Sequence, residues 1–347
     1  MQSSSLTGEE RRQLIDAQQA WRVWRQLDGD KHRRFSGSMR WAERGSGDYL
    51  LRKTGRSEVS LGPRSAETEK AYKAFIEGRA SNRELLQGVA AKLDKMAPVN
   101  RAMGLGRMPV TAARILRECD AKDLLGEQIF LVGTNALYAY EAMAGVRFDS
   151  GLLATADIDL LLDARRRMSV VARDELNETG LIGLLKRADK SFALMGGRGY
   201  RAANKDGYLV DLICPQPKSA LREGGKKSLS AREDDFEGAE IFGLDWLINA
   251  PKADTVVIDE RGYPAPVAAI DPRVYALHKF WMAAREDRSR VKAVRDLAQA
   301  EAVAHVAANE LNLDFNGADL SALPEPLRHV PAGLFPVKNG DGETPDW

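Results

Sequence analysis

Three aspartates lie in the otherwise largely apolar segment "TADIDLLLD" at residues 155–163, and two of them, Asp157 and Asp159, are two residues apart. Apolar runs of this length are typical of buried β-strands, and residues two apart on a strand point to the same side. Asp157 and Asp159 therefore share one face. Carboxylates about 4–6 Å apart repel by roughly 3–4 kcal/mol at an effective dielectric near 20. Such a pair must take up a proton, pair with cations or bind a metal ion.

A second feature is the segment "EQIFLVGTNALYAYEAMAG" at residues 127–145. The run "IFLV" predicts a short strand that ends at Gly133-Thr134. A helix is predicted from Asn135 to Ala144, with Gly145 as its end. A strand, a glycine turn and a helix in this order place free backbone N–H groups at a helix start, where anions bind.

The third feature is Asp211, inside the apolar run "YLVDLI". The sequence before it predicts a hairpin with a turn at residues 204–207, of residue types that tolerate left-handed backbone. An unpaired buried carboxylate costs several kcal/mol, so Asp211 needs a partner. For three converging carboxylates the simplest partner is a divalent cation such as Mg²⁺, which binds oxygen ligands and phosphates. Two such ions serve in-line phosphoryl displacement.

These three features together resemble the nucleotidyltransferase fold of the DNA polymerase β superfamily. They are most similar to its bacterial MNT/AbiEii-like branch and to uncharacterised relatives of that branch. The resemblance covers about residues 127–300. It implies catalytic, metal-binding carboxylates at Asp157, Asp159 and Asp211. It also implies nucleotide-binding residues, and these are Gly133, Thr134, Asn135, Thr155 and Lys279.

The resemblance further implies a two-ion Mg²⁺ site, with Mn²⁺ as the alternative metal, and an NTP donor, most readily ATP. Two departures from the pattern of the family matter. Val132 stands where many relatives have Gly or Ser, and the loop between Thr134 and Asp157 is long. Arg201, before the third strand, has two interpretations: a phosphate contact, or part of an ordinary exposed hairpin.

The expected fold class is α+β, with an α/β-type palm built on a short mixed sheet. We expect a mostly helical N-terminal module with one hairpin at 1–120 and the palm at 121–250. A C-terminal helical region is expected at 251–325, with one long helix over about 272–307, and a loosely ordered tail at 326–347.

Composition excludes several classes of protein. The formal net charge of +1 gives no overall field for nucleic acid or a membrane surface, so nucleic acid is not the favoured partner. No apolar run reaches the length of a membrane span, and the first residues lack the apolar core of a secretory signal. The two cysteines lack the spacing of a zinc site or disulfide framework. These features predict a cytoplasmic protein.

The favoured function is metal-dependent transfer of a nucleoside monophosphate from an NTP to a hydroxyl acceptor. The acceptor is left open between a small molecule, a protein side chain and an RNA end. The alternative is a catalytically silent binding or regulatory protein on the same fold, as one partner of a toxin–antitoxin or defence system. A third hypothesis has the N-terminal module bind nucleic acid.

Overall fold

The computed structural model describes residues 3–45, 47–165, 170–196, 199–217 and 227–328. The protein has the expected α+β fold with a mixed sheet. Its strands are β1 (Ser3–Ser5), β2 (Ser38–Arg44), β3 (Gly47–Thr54), β4 (Ser57–Pro63), β5 (Ile129–Val132), β6 (Val146–Phe148), β7 (Asp157–Leu162), β8 (Ala193–Leu194), β9 (Arg201–Ala203), β10 (Leu209–Pro215), β11 (Ala239–Ile241), β12 (Lys252–Ile258) and β13 (Pro264–Ile270). Its α-helices are α1 (Gly8–His32), α2 (Ala66–Ala102), α3 (Val110–Ala121), α4 (Leu137–Ala144), α5 (Ser150–Leu153), α6 (Val170–Ala188), α7 (Leu244–Asn249), α8 (Pro272–Ala283), α9 (Arg290–Asn309) and α10 (Glu325–Arg328).

The central sheet of the palm has the strand order β12-β13-β5-β7-β10-β9-β8, and β11 pairs with β10. Strand β5 runs antiparallel to β7, whereas β10 runs parallel to β7. The predicted hairpin around residues 204–207 joins β9 to β10. Helix α3 packs into the same apolar core as the sheet, although the sequence grouped it with the N-terminal module. The palm core therefore begins near residue 108.

The N-terminal module consists of two long helices and a three-stranded sheet of order β2-β3-β4. Helix α1 begins with a capping box, because the Thr7 side chain accepts from the N–H of Glu10 and the Glu10 carboxylate accepts from the N–H of Thr7. Helix α2 runs without a break over 37 residues, and its one internal proline, Pro98, lies near its end.

Polar contacts attach the two long helices to the β12–β13 hairpin of the palm. Gln18 of α1 donates to the carbonyl of Val256 at 2.8 Å. Asn100 of α2 is buried and donates to the carbonyl of Gly262 at 2.8 Å. Gly262 has a φ of +87°, and a Cβ at this position would lie 2.0 Å from the carbonyl oxygen of Ala97. The hairpin therefore contacts the helix backbone directly.

The single helix predicted over 272–307 is wrong. The chain forms α8 and α9, which pack against each other after a break at residues 284–289. In the break, the Arg285 guanidinium binds the Asp287 carboxylate at 2.6 Å, and the N–H of Arg288 donates to the carbonyl of Arg285. The break brings Lys279 against Asp296, which a straight helix would hold about 25 Å apart.

Strands β4 and β13 were not predicted, and β13 forms an antiparallel hairpin with β12 at the start of the segment that was expected to be helical. Residues 329–347 of the predicted tail lie outside the described residues. Among the described helices, none is long and apolar enough to cross a membrane.

Candidate active site

The three predicted carboxylates lie on neighbouring strands of the palm. Strands β7 and β10 are parallel, and their register sets Asp211 directly opposite Asp159 and Leu209 opposite Asp157. Neighbouring strands are about 4.8 Å apart, and opposed residues point to the same face of a sheet. Asp157, Asp159 and Asp211 therefore lie on one face of the sheet, beside the first residues of β7.

Asp159 is at the centre of this group. Burial raises its pKa to about 6, and the negative charges of Asp157 and then Asp211 act in the same direction. Across the described residues, the Asp159 carboxylate accepts no hydrogen bond and forms no ion pair. Asp157 differs, because one of its carboxylate oxygens accepts a hydrogen bond from the hydroxyl of Thr155. Among the described residues, no cationic side chain therefore pairs directly with the negative charge of Asp159.

Gly133 leaves the room that the Asp159 carboxylate needs. Its backbone has φ 68° and ψ −158°, a conformation that essentially only glycine adopts. A Cβ on Gly133 would lie 2.1 Å from Oδ2 of Asp159. The glycine turn and the carboxylate are therefore in direct contact across β5 and β7, where Val132 is opposite Asp159.

The residues after Gly133 are buried and bind the surrounding elements. Thr134 opens a 3₁₀ turn that leads into α4. The side-chain amide of Asn135 donates to the backbone carbonyl of Asp157 at 2.6 Å. The hydroxyl of Thr134 accepts from Gln299 of α9 at 3.2 Å, and the same amide nitrogen donates to the carbonyl of Leu152 at 2.8 Å. Thr134 and Asn135 thus fix the turn against β7 and against the C-terminal helices.

Lys279 forms an ion pair within the C-terminal helices. Its ammonium group lies 2.7 Å from one carboxylate oxygen of Asp296, and the Arg288 guanidinium binds the other oxygen. Burial lowers the pKa of Lys279, and the charge of Asp296 opposes that shift. Lys279 still interacts electrostatically with Asp159, because its positive charge acts to lower the pKa of that carboxyl.

Arg201 forms a contact that the sequence did not predict. It lies on β9 directly opposite Asp211 on β10. Its Nε donates to Oδ1 of Asp211 at 2.6 Å and its Nη2 donates to Oδ2 at 2.5 Å. The hairpin and its turn at residues 204–207 were predicted. Counting residues outward from that turn along β9 and β10 would have placed Arg201 opposite Asp211. Gln299 gave no sequence signal, because its contact with the glycine turn depends on how α9 packs.

Comparison with known families identifies the class of protein. A family model described as a nucleotidyltransferase matches residues 111–324, which is more than half of the chain. The chain belongs to this nucleotidyltransferase family. No curated protein and no solved structure gave a match.

The matched region of this nucleotidyltransferase contains every predicted site residue. Its family assignment raises the question of whether the residues present suit a divalent cation. Asp157 and Asp159 do, since they are oxygen donors on one face and Asp159 lacks a counter-charge among the described residues. Asp211 does not suit a cation in this conformation, because Arg201 holds both of its oxygens. Accordingly, the described residues contain no group of three acidic, histidine or cysteine side chains arranged to hold a metal ion.

Proposed function

We propose that this nucleotidyltransferase transfers a nucleoside monophosphate from an NTP, with ATP as the preferred donor, to a hydroxyl acceptor. We further propose that the transfer depends on Mg²⁺, with Mn²⁺ as a substitute, and that the chain belongs to the bacterial MNT/AbiEii-like branch. The acceptor is a small molecule, a protein side chain or an RNA end. The observation that carries this proposal is the uncompensated Asp159 carboxylate beside Asp157 and the Gly133 turn.

Charge balance supports the role of the carboxylates. In the palm, buried acidic side chains have specific partners, such as Arg117 for Asp259 and Arg273 for Asp271. Asp159 forms no ion pair with any described residue, although the negative charges of Asp157 and Asp211 lie close to it. A divalent cation bound by Asp157 and Asp159 would supply the missing positive charge, and would polarise the phosphate that is attacked.

The residues around the carboxylates then have distinct roles. Thr155 orients the Asp157 carboxylate through its hydroxyl, and Asn135 fixes the backbone of β7 at the same residue. Gly133 and Thr134 place the start of the 3₁₀ turn beside Asp159, where backbone N–H groups favour an anion such as the triphosphate. Asp211 accepts the proton of the acceptor hydroxyl or lowers its cost of removal, once its oxygens are free.

Lys279 has a more limited role in this proposal. Its ammonium group binds Asp296, so it contributes positive potential near Asp159 and is not held out toward solvent. We therefore assign Lys279 to the positive field that surrounds the nucleotide, and not to a free phosphate-binding side chain.

The experiment compares the wild-type chain with Asp157→Asn/Asp159→Asn, using ATP labelled at the α-phosphate and ATP labelled at the γ-phosphate. We expect Mg²⁺-dependent release of pyrophosphate and transfer of the α-label by the wild type, and loss of both in the double variant. Asp206→Asn is the control, because Asp206 is exposed in the β9–β10 turn and, among the described residues, its ion pair is with the neighbouring Lys205. Equal transfer by the wild type and the double variant would contradict the proposal.

One observation favours a second candidate function. The Arg201–Asp211 pair blocks the third carboxylate, which suits a catalytically silent binding or regulatory protein, for example one partner of a toxin–antitoxin or defence system. The two functions differ in nucleotide affinity. Isothermal titration with a nonhydrolysable ATP analogue would show Mg²⁺-dependent binding for the enzyme and none for the silent protein.

A further inference from the structure

Arg201 and Asp211 form a compact ion pair within the candidate site. The two side chains face each other across β9 and β10, and both carboxylate oxygens accept from the guanidinium. Asp211 is buried, whereas about a third of the Arg201 side chain is exposed, at 35%. Such two-point pairs are the strongest of the charge-assisted hydrogen bonds in proteins.

The surroundings of Arg201 allow its guanidinium to leave Asp211 without opening the core. Its side chain is partly exposed to solvent, and its Cζ atom lies 5.5 Å from the centroid of the Tyr200 ring. Asp157 also interacts with it electrostatically. A small rotation of the side chain would thus exchange Asp211 for solvent or for another anion nearby.

We infer that Arg201 competes with a divalent cation for Asp211 and thereby sets how tightly the site binds that cation. With the pair closed, Asp157 and Asp159 are the carboxylates available to the cation. With the pair open, Asp211 joins them, and the released guanidinium is free to bind a phosphate of the nucleotide, which its planar fork fits. The inference rests on the proposed function, because it assumes that the carboxylates bind a cation.

A purely structural Arg201 would behave differently. It would fasten β9 to β10, and its loss would lower stability while the affinity for cations stayed the same or fell. Competition instead predicts that removing the guanidinium makes cation binding tighter. The direction of the change in affinity therefore separates the two roles.

The test measures Mn²⁺ binding to the full chain without nucleotide, from the loss of the free-Mn²⁺ signal in electron paramagnetic resonance. We expect Arg201→Met to bind Mn²⁺ at least roughly tenfold more tightly than the wild type, because the charge-assisted pair with Asp211 no longer competes with the cation. Adding Asp211→Asn to this variant should remove the gain.

Arg165→Met is the matched control. Arg165 also binds an aspartate, Asp163, through both oxygens at 2.9 and 3.0 Å, but away from the site carboxylates. We expect its affinity for Mn²⁺ to equal that of the wild type. An unchanged or weaker affinity in Arg201→Met would overturn the inference.

Two further variants keep the result interpretable. If Arg201→Met does not fold, Arg201→Lys replaces it in the test, because lysine cannot span both oxygens of Asp211. A smaller gain in Mn²⁺ affinity supports the inference, and no gain overturns it.

Asp157→Asn/Asp159→Asn separates the two proposals. If wild-type binding requires this pair but ignores Arg201, only the role of Arg201 fails. If no variant binds Mn²⁺, both proposals fail.

Discussion

In the palm and the helices that follow it, several charged side chains are buried and held by specific partners, whereas the described charged side chains of the N-terminal module are not buried and lie on two long helices and a small sheet. Asp259, Asp271 and Asp296 are all buried in the first region and each binds an arginine or lysine. In the described part of the module, the buried polar side chains are the uncharged Asn82 and Asn100. The module therefore depends on apolar packing, and the palm depends also on individual charge pairs.

This difference makes Asp159 informative. An uncompensated carboxylate on the exposed surface of the module would be ordinary, because water solvates it. In the palm, where buried carboxylates have partners, the lack of an ion pair at Asp159 among the described residues supports the proposed cation site.

The largest expected effect is at Asp296. The change Asp296→Ala leaves Lys279 buried without its carboxylate, and we expect the free energy of unfolding to fall by about 3–5 kcal/mol. Urea denaturation followed by circular dichroism measures the change. Glu77→Ala on α2 is the control, since Glu77 pairs with Lys73 on an exposed helix face and should cost no more than ~0.5 kcal/mol. Similar losses at both sites would remove the contrast between the two regions.

A smaller effect is expected from adding one methyl group at a glycine. Gly133→Ala should lower the free energy of unfolding by about 3 kcal/mol, because its backbone conformation is strained for alanine and its Cβ would meet Asp159. Gly88→Ala in α2 should have the opposite sign, a gain of about 0.5–1 kcal/mol, because nothing lies within 4 Å of the new methyl group. Thermal denaturation of both variants tests the pair, and a neutral Gly133→Ala would contradict the described turn.

The smallest of the three effects concerns pH. Burial lowers the pKa of His278 to about 3, so this imidazole is neutral in the folded palm but takes up a proton in the unfolded chain below about pH 6.5. Stability should therefore fall as the pH drops, by about 2 kcal/mol between pH 7 and 5 from this group alone. His278→Leu should remove that part of the pH dependence, as measured by denaturation at each pH. His32→Gln, at an exposed position of α1, is the control variant.

Several features that depend on neighbours in the chain could be predicted from the sequence. The capping box at Thr7, the left-handed end of α4 at Gly145 and the turn before β10 all follow from local residue types. Strand β13 was missed because Pro264 and Pro266 argue against a strand. Pro264 and Pro266 lie opposite Ile258 and Val256 of β12, and the pairing of β13 with β5 is at Ala269, so neither proline has to donate a hydrogen bond to β5.

The candidate site was predictable in part for the same reason. Asp157 and Asp159 share a face because of their spacing, which the sequence contains. The pairing of Asp211 with Arg201 and the contact of Gln299 with Thr134 depend on strand register and on how α9 folds back after residues 284–289. Lys279 was predicted on a continuous helix, and only the break reveals that it faces Asp296.

The contact between Gly262 and α2 has a consequence for how relatives of this chain can diverge. The β12–β13 hairpin touches the backbone of the helix at Ala97, and beside this contact the side chains of Gln18 and Asn100 hold the two regions together. Substitutions on the exposed faces of α2 and in the β2–β4 sheet leave these contacts in place. A side chain at residue 262 has no room beside the helix, so we expect relatives that keep this contact to keep glycine there.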